Sequence, residues 1–171
     1  EIINYEVSMD NDYFNALKEL VLSVNSSLEP QNVLQKIAEQ TALAMGCKAC
    51  TIRLLDTTGH FLHPSASYGL SSSYMRKGAV EVKSNGLDGE VIAGKIIQLK
   101  DASSDGRFQY PEAAKKEGLV SVLSAPLKLS SGNPLGLVRV YSDCEREFTE
   151  KEITFMEAAA AVSELDIEKA R

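Results

Sequence analysis

The sequence predicts an α+β domain in which helices pack on a mainly antiparallel sheet. Three observations carry that expectation. Strand-like runs are joined by tight turns, as across 56–59 and 130–134, too short for parallel crossovers. Long helical periodicity is confined to the two ends of the chain. The last helix opens with a complete N-terminal cap, Thr149-x-x-Glu152, flanked by Phe148 and Ile153 at the two staple positions.

The elements follow in order. Residues 1–12 are acidic and aperiodic, which predicts a frayed end before a domain over 13–165, with 166–171 starting a connector helix. Phe14, Leu17, Val21, Val24 and Leu28 are spaced as a heptad seam. Pro30 suits the first turn of a second helix, whose buried face is Val33, Leu34, Ile37, Ala38, Thr41 and Met45, and Gly46 ends it. Residues 50–55 and 60–68 read as a hairpin, with Ile52 opposite His63 and Leu55 opposite His60. Residues 71–74 read as loop, 79–82 as a short strand, 87–94 as a helical turn and 96–100 as a strand. A polar loop over 101–110 leads to a short helix at 111–117, capped by Gly118. Two strong strands, 120–129 and 135–142, form a second hairpin. The final helix carries Ile153, Met156, Ala160, Ser163, Ile167 and Ala170 in a second heptad seam. Neither seam is needed to make the sheet. Ala160, Ser163 and Ala170 weaken the second as an isolated coiled coil, so an assembled four-helix arrangement suits it better.

Composition narrows the function. The chain has 171 residues, 44% apolar and 25% charged, which suits one domain with a core that needs neither metal nor disulfide. Net charge is −6 with a pI near 5.0, and no long Lys/Arg cluster occurs, so nucleic acid is not the expected partner. No apolar run reaches the roughly 20 residues that span a bilayer. The chain starts at Glu1, not Met, and so reads as a piece of a longer protein in which a membrane segment can lie elsewhere. Three cysteines, few and odd in number, suggest a reducing, cytoplasmic compartment.

Gly89-Glu-Val-Ile-Ala-Gly94-Lys95 resembles a phosphate loop. The next residue is Ile96, where a magnesium-binding hydroxyl is needed, and the order is helix then strand, the reverse of what such a loop requires. Cys47-x-x-Cys50 with His60 and His63 has the wrong spacing for a zinc finger, which wants about 12 residues between its pairs. Cys47 also follows a helix C-terminus, where the dipole disfavours thiolate. Neither histidine has an evident acidic partner, Glu145 and Glu147 read as a solvated face, and no Ser-His-Asp set is in context. No enzyme is expected.

The element order resembles the GAF family of small-molecule sensor domains, over about Phe14 to Leu165. The residues that carry the resemblance are 86–94, 97–101 with Asp105-x-Arg107-Phe108, 121–127, 135–138 and Phe148-Thr149-x-x-Glu152. The resemblance implies a PAS-related fold: a central antiparallel sheet of about six strands, terminal helices on one face, and short helices and loops (84–118) over a ligand pocket on the other. The glycine-flanked helical turn would then help close that pocket. It further implies a homodimer through helices 14–28 and 150–170, and a fused or partner output domain such as a kinase, cyclase or transcriptional regulator.

Features of family subgroups are missing here. A bilin-attaching Cys-His pair is absent, so no covalent chromophore is expected. The Asn-Lys…Phe-x-x-x-Asp-Glu pattern of cyclic-nucleotide-binding members is incomplete. The three lid cysteines of the methionine-sulfoxide-reducing members are absent from 84–118. The candidate ligand contacts are Arg53, Tyr68, Asp88, Asp101, Asp105, Ser121, Ser124 and Tyr141, with Phe108 and Tyr110 as apolar walls. Plainer readings stand beside them: Asp101 and Asp105 as turn residues, Phe108 as core, Arg53 paired on the solvent face. The expected function is a regulatory sensor that binds an unidentified small molecule. The alternative is a ligand-free dimerisation or interaction module.

Overall fold

The computed structural model describes residues 2–25 and 29–169. Its elements are α1 (Ile2–Val24), α2 (Pro30–Ala44), β1 (Ala49–Leu55), β2 (Phe61–Tyr68), α3 (Ser72–Met75), β3 (Val80–Glu81), α4 (Leu87–Ile92), β4 (Ile97–Leu99), α5 (Pro111–Glu117), β5 (Ser121–Lys128), β6 (Pro134–Ser142) and α6 (Glu150–Lys169). The six strands form one sheet in the order β3-β2-β1-β6-β5-β4, and every pairing is antiparallel. The α+β class and the expected sheet are therefore observed.

Strand alternation splits the interior into two cores. On one face, Ile52, Leu123, Ala125, Val138 and Val140 meet Leu20 of α1, Ile37 and Ala38 of α2, and Met156 and Ala159 of α6. On the other, Leu62, Leu99, Leu137 and Tyr141 meet Tyr74, Leu87, Val91 and Phe108 from the connecting segments. These two faces follow from the period of two along each strand.

Local signals held where the bonds that enforce them are local. The α6 cap is made as read: the Thr149 amide donates to Glu152 Oε1 at 2.8 Å, and the Glu152 amide donates to Thr149 Oγ1 at 3.2 Å. Glu152 also pairs with Arg146, which reaches the Met45 carbonyl at the end of α2.

Four expectations change. Helix α1 begins at Ile2, well before its apolar spacing becomes regular. Residues 72–75 are a short helix and not loop, because the Ser71 hydroxyl accepts from the Tyr74 amide at 3.1 Å. In the first hairpin Leu54, not Ile52, faces His63, and Leu55 faces Leu62. The Asp56 carboxylate accepts from Thr58 Oγ1 at 2.7 Å and from the His60 amide at 3.3 Å, so the turn runs through His60 and the strand starts at Phe61. His63 also has an acidic neighbour, Asp56, at 3.9 Å.

The fourth change concerns the seams. Met156, Ala160, Ser163 and Ile167 are buried inside the chain's own helix-side core, so the α6 seam is used in building the domain. The α1 seam divides. Leu17 and Val24 pack on the domain, whereas Phe14 is 67% exposed and Val21 44%. Leu28 and Ala170 lie outside the described residues.

Candidate functional site

Inward-facing positions on the lid side of β1 and β6 are not all apolar. Arg53 of β1 and Arg139 of β6 are buried at 3% and 4% exposure, and both line a cavity between sheet and lid. β1 and β6 are hydrogen-bonded neighbours, which sets the two guanidiniums on adjacent strands. Tyr74 and Lys77 from the segment around α3, and Leu87, Asp88, Phe108, Gln109 and Tyr110 from the lid, supply most of the rest of the wall, with Val80 of β3 and Tyr141 of β6.

Arg139 is held on two sides. Its Nε donates to Ser124 Oγ of β5 at 2.7 Å, and Nη2 pairs with the buried Asp88 carboxylate of α4. Burial alone would lower its pKa, but the Asp88 carboxylate and Tyr141 outweigh that and hold it above its ordinary value. Burial, with Tyr141 beside it, pushes the Tyr74 phenol up. Arg53 is different: its Nη2 is buried and has no hydrogen-bond partner.

The third cation is Lys77, whose ammonium sits 4.1 Å from the Tyr74 ring centroid and 5.6 Å from that of Tyr110. Burial, then the charges of Arg53 and Arg139, pull its pKa from 10.5 down to about 7, against the opposing pull of Asp88. Between those two values the unfolded chain keeps a proton that the folded protein has lost. Stability therefore rises with pH across that window and is lost as pH falls toward 7. Lys77→Met is expected to flatten that rise in urea midpoints followed from pH 7 to about pH 10. An unchanged slope would show that Lys77 titrates as it does in the unfolded chain.

The cavity is about 20 Å³, room for one water-sized occupant. Outside it lies a groove of about 310 Å³ lined by Glu81, Lys83, Asn85, Gly86, Gly106 and Arg107. Leu87, Asp88, Phe108 and Gln109 line both spaces and so form the partition between them. That partition is tied down. Arg107 bonds Asp105 at 3.1 Å and Glu90 at 2.9 Å, the Leu87 amide donates to the Arg107 carbonyl at 3.2 Å, and Gln109 bonds the backbone of Glu81 and Ala79. Tyr110 donates to the Ala79 carbonyl at 2.5 Å.

The glycine pair around α4 now has a physical account. A Cβ on Gly89 would run into the Lys83 carbonyl, so a side chain there would push α4 away from the Lys83–Ser84 turn that precedes it. Gly94 has φ +111, which lets the chain reverse from helix into β4. Glu90, inside this pattern, holds Arg107.

Of the residues read from the sequence, Arg53, Asp88, Phe108, Tyr110 and Tyr141 line the cavity, and Ser124 supports Arg139 from the sheet. Four others lie elsewhere. Tyr68 packs against the helix-side core, Ser121 donates to the Cys144 carbonyl at 2.8 Å, and Asp101 accepts from Ser103 in a local turn. Asp105 also accepts locally, from the Arg107 amide at 2.9 Å. Sequence reasoning missed Arg139, Lys77, Tyr74 and Gln109. For Arg139 the signal was present, because it falls between Leu137 and Tyr141 in the period of two along one strand.

The cysteines stand apart from the cavity. Cys47 and Cys50 are buried in the helix-side core, and burial pushes the Cys47 thiol up to about 12 and raises Cys50 further. Among the described residues, no three His, Cys, Asp or Glu side chains converge as a metal-ligand set. No helix among them is long and apolar enough to cross a membrane.

A family model described as the GAF domain matches residues 29–167. The chain is a member of the GAF domain family. Solved structures agree with the fold. The GAF domain of an Acinetobacter phosphoenolpyruvate-protein phosphotransferase is 26% identical with a TM-score of 0.75, covering 92% of this chain and 94% of that one. The corresponding domain from Coxiella burnetii is 22% identical with a TM-score of 0.79, covering 94% and 95%. A free methionine-R-sulfoxide reductase from Neisseria meningitidis, solved with its substrate, is 19% identical with a TM-score of 0.77, covering 93% and 90%. Among curated proteins no match is found.

Proposed function

We propose that this GAF domain is the regulatory, non-catalytic sensor of a cytoplasmic signalling protein. It takes a small molecule beneath the lid and passes its state through the terminal helices of a homodimer to an output domain. The observation that carries the reading is the cavity itself. It gathers four charged side chains between sheet and lid, and leaves one buried guanidinium nitrogen without a partner. A ligand acts only by preferring one lid state over another. A route from lid to helix is present in bonded steps: α4 leads into β4, whose Gln98 Oε1 accepts from the Phe148 amide at 3.0 Å, directly before the α6 cap.

Native mass spectrometry of freshly purified protein, with a denatured control, tests this. The expected result is a non-covalent mass excess lost on denaturation. A bare protein that also gives no thermal response to a metabolite screen would overturn the reading.

A second reading, a ligand-free interaction module, is favoured by one observation. Phe14, Val21 and Leu22 of α1 are exposed at 67%, 44% and 53%, a large apolar surface for one helix.

A further inference from the structure

The cavity is short of negative charge. Arg53, Arg139 and, below about pH 7, Lys77 set positive charge there against a single carboxylate, Asp88, and the other polar wall groups, Tyr74, Gln109, Tyr110 and Tyr141, are neutral. Asp88 is committed to Arg139. The buried side-chain atoms without partners among the described residues are Gln40 Oε1, Thr41 Oγ1, Arg53 Nη2 and Asp166 Oδ2, and of these only Arg53 lines the cavity. A buried guanidinium with an open donor is costly, and an apolar side chain would serve packing better. The outer groove does not share this imbalance, since Lys83 there has Glu81 at 4.0 Å and Arg107 is held by Glu90 and Asp105.

Resting on the sensor reading above, we infer that the ligand is a compact anion. Its carboxylate or phosphate group lies against Arg53 and Arg139, and its remainder passes Phe108 and Gln109 into the outer groove. The guanidinium fork suits both oxyanion types, because each offers two oxygens to paired N–H donors. The cavity holds only a water-sized occupant while the partition is shut. Entry therefore requires the Leu87–Asp88 start of α4 and Phe108 to move outward, and Asp88 is the internal anion that the ligand's own charge replaces at Arg139. Displacing Asp88 moves α4, the first step of the bonded route toward Gln98 and α6. The rings of Tyr74, Phe108, Tyr110 and Tyr141 take up much of the wall and leave little room to hydrate the anion, so its charge is met by the protein's cations.

The test uses the whole 171-residue chain and simple probes. Thermal unfolding is followed with acetate, succinate and inorganic phosphate, and with acetamide and succinamide as neutral counterparts, all at ionic strength matched with sodium chloride. The expected result is a saturable rise in Tm with one or more of the anions and none with the amides. Carboxylate against phosphate response then separates the two oxyanion sources. Arg53→Met is expected to be at least as stable as the parent without anion, yet to need at least a tenfold higher anion concentration for the same shift. An Arg53→Met protein less stable than the parent would make Arg53 structural and overturn the inference. Amides that shift Tm as well as the acids do would overturn the anion and leave the sensor standing. No response to any probe, together with a bare protein in native mass spectrometry, would remove both.

Discussion

Asp88→Asn is expected to cost about 3–5 kcal/mol of folding stability, because it strips a buried cation of its counter-ion and leaves shape almost unchanged. Asp88 is 8% exposed and Arg139 4%, so solvent cannot replace the lost charge without opening the lid. For a domain whose whole stability is about 5–15 kcal/mol, that is a loss of about a fifth or more. Urea denaturation reads it as a lower midpoint with little change in slope. Two companions make the cause specific. Arg139→Met added to Asp88→Asn should recover much of the loss, since a neutral pair no longer contains an unmatched charge. Formate at tens of millimolar should restore part of the single variant's stability, well beyond sodium chloride at equal ionic strength. A loss below about 1 kcal/mol, the worth of an exposed pair, would mean that the Asp88–Arg139 bridge is solvated.

Gly136→Ala is the second large effect, expected near 3 kcal/mol, the upper end of what overpacking costs. Gly136 pairs with Leu54 across the central β1–β6 ladder. A Cβ there would overlap the Arg53 carbonyl and come within 2.9 Å of the Leu54 Cα. Both are backbone atoms of the neighbouring strand, so no side-chain rotation relieves the clash. Pushing β1 from β6 also separates the strands that carry Arg53 and Arg139. Amide exchange along β1 should therefore quicken as the urea midpoint falls. Gly106→Ala is the control: its Cβ meets nothing within 4 Å, and the change should stay within about 0.5 kcal/mol. Equal losses from the two substitutions would mean that β1 and β6 have room to separate.

Much of the fold was legible because its signals are local. Thr149 and Glu152 answer each other within one turn of helix, and Pro111 and Gly118 bracket α5 as the sequence suggests. The first hairpin slipped because its turn is set by side-chain bonds from Asp56 through to His60, and a β-bulge follows between Ile52 and Arg53. Periodicity detects neither. The site was partly legible for a related reason. Arg53 stands out as a charge in an apolar strand, and Arg139 carries the same mark unread. Lys77 had no such mark, since it lies in the irregular stretch between α3 and β3.

The sequence by itself determined the element order apart from α3, the antiparallel class, the α6 cap, the GAF resemblance and the exclusion of a phosphate loop at Gly89. All of these rest on neighbours within a few residues or on a regular period. Only the tertiary structure decided which charges meet. Arg53, Lys77, Asp88 and Arg139 come from β1, the segment after α3, α4 and β6, and nothing in their sequence spacing joins them. It also decided that the α6 seam is buried inside the domain while Phe14 and Val21 of α1 face outward. A heptad pattern states that one helical face is apolar; what covers that face depends on how the helices seat on the sheet.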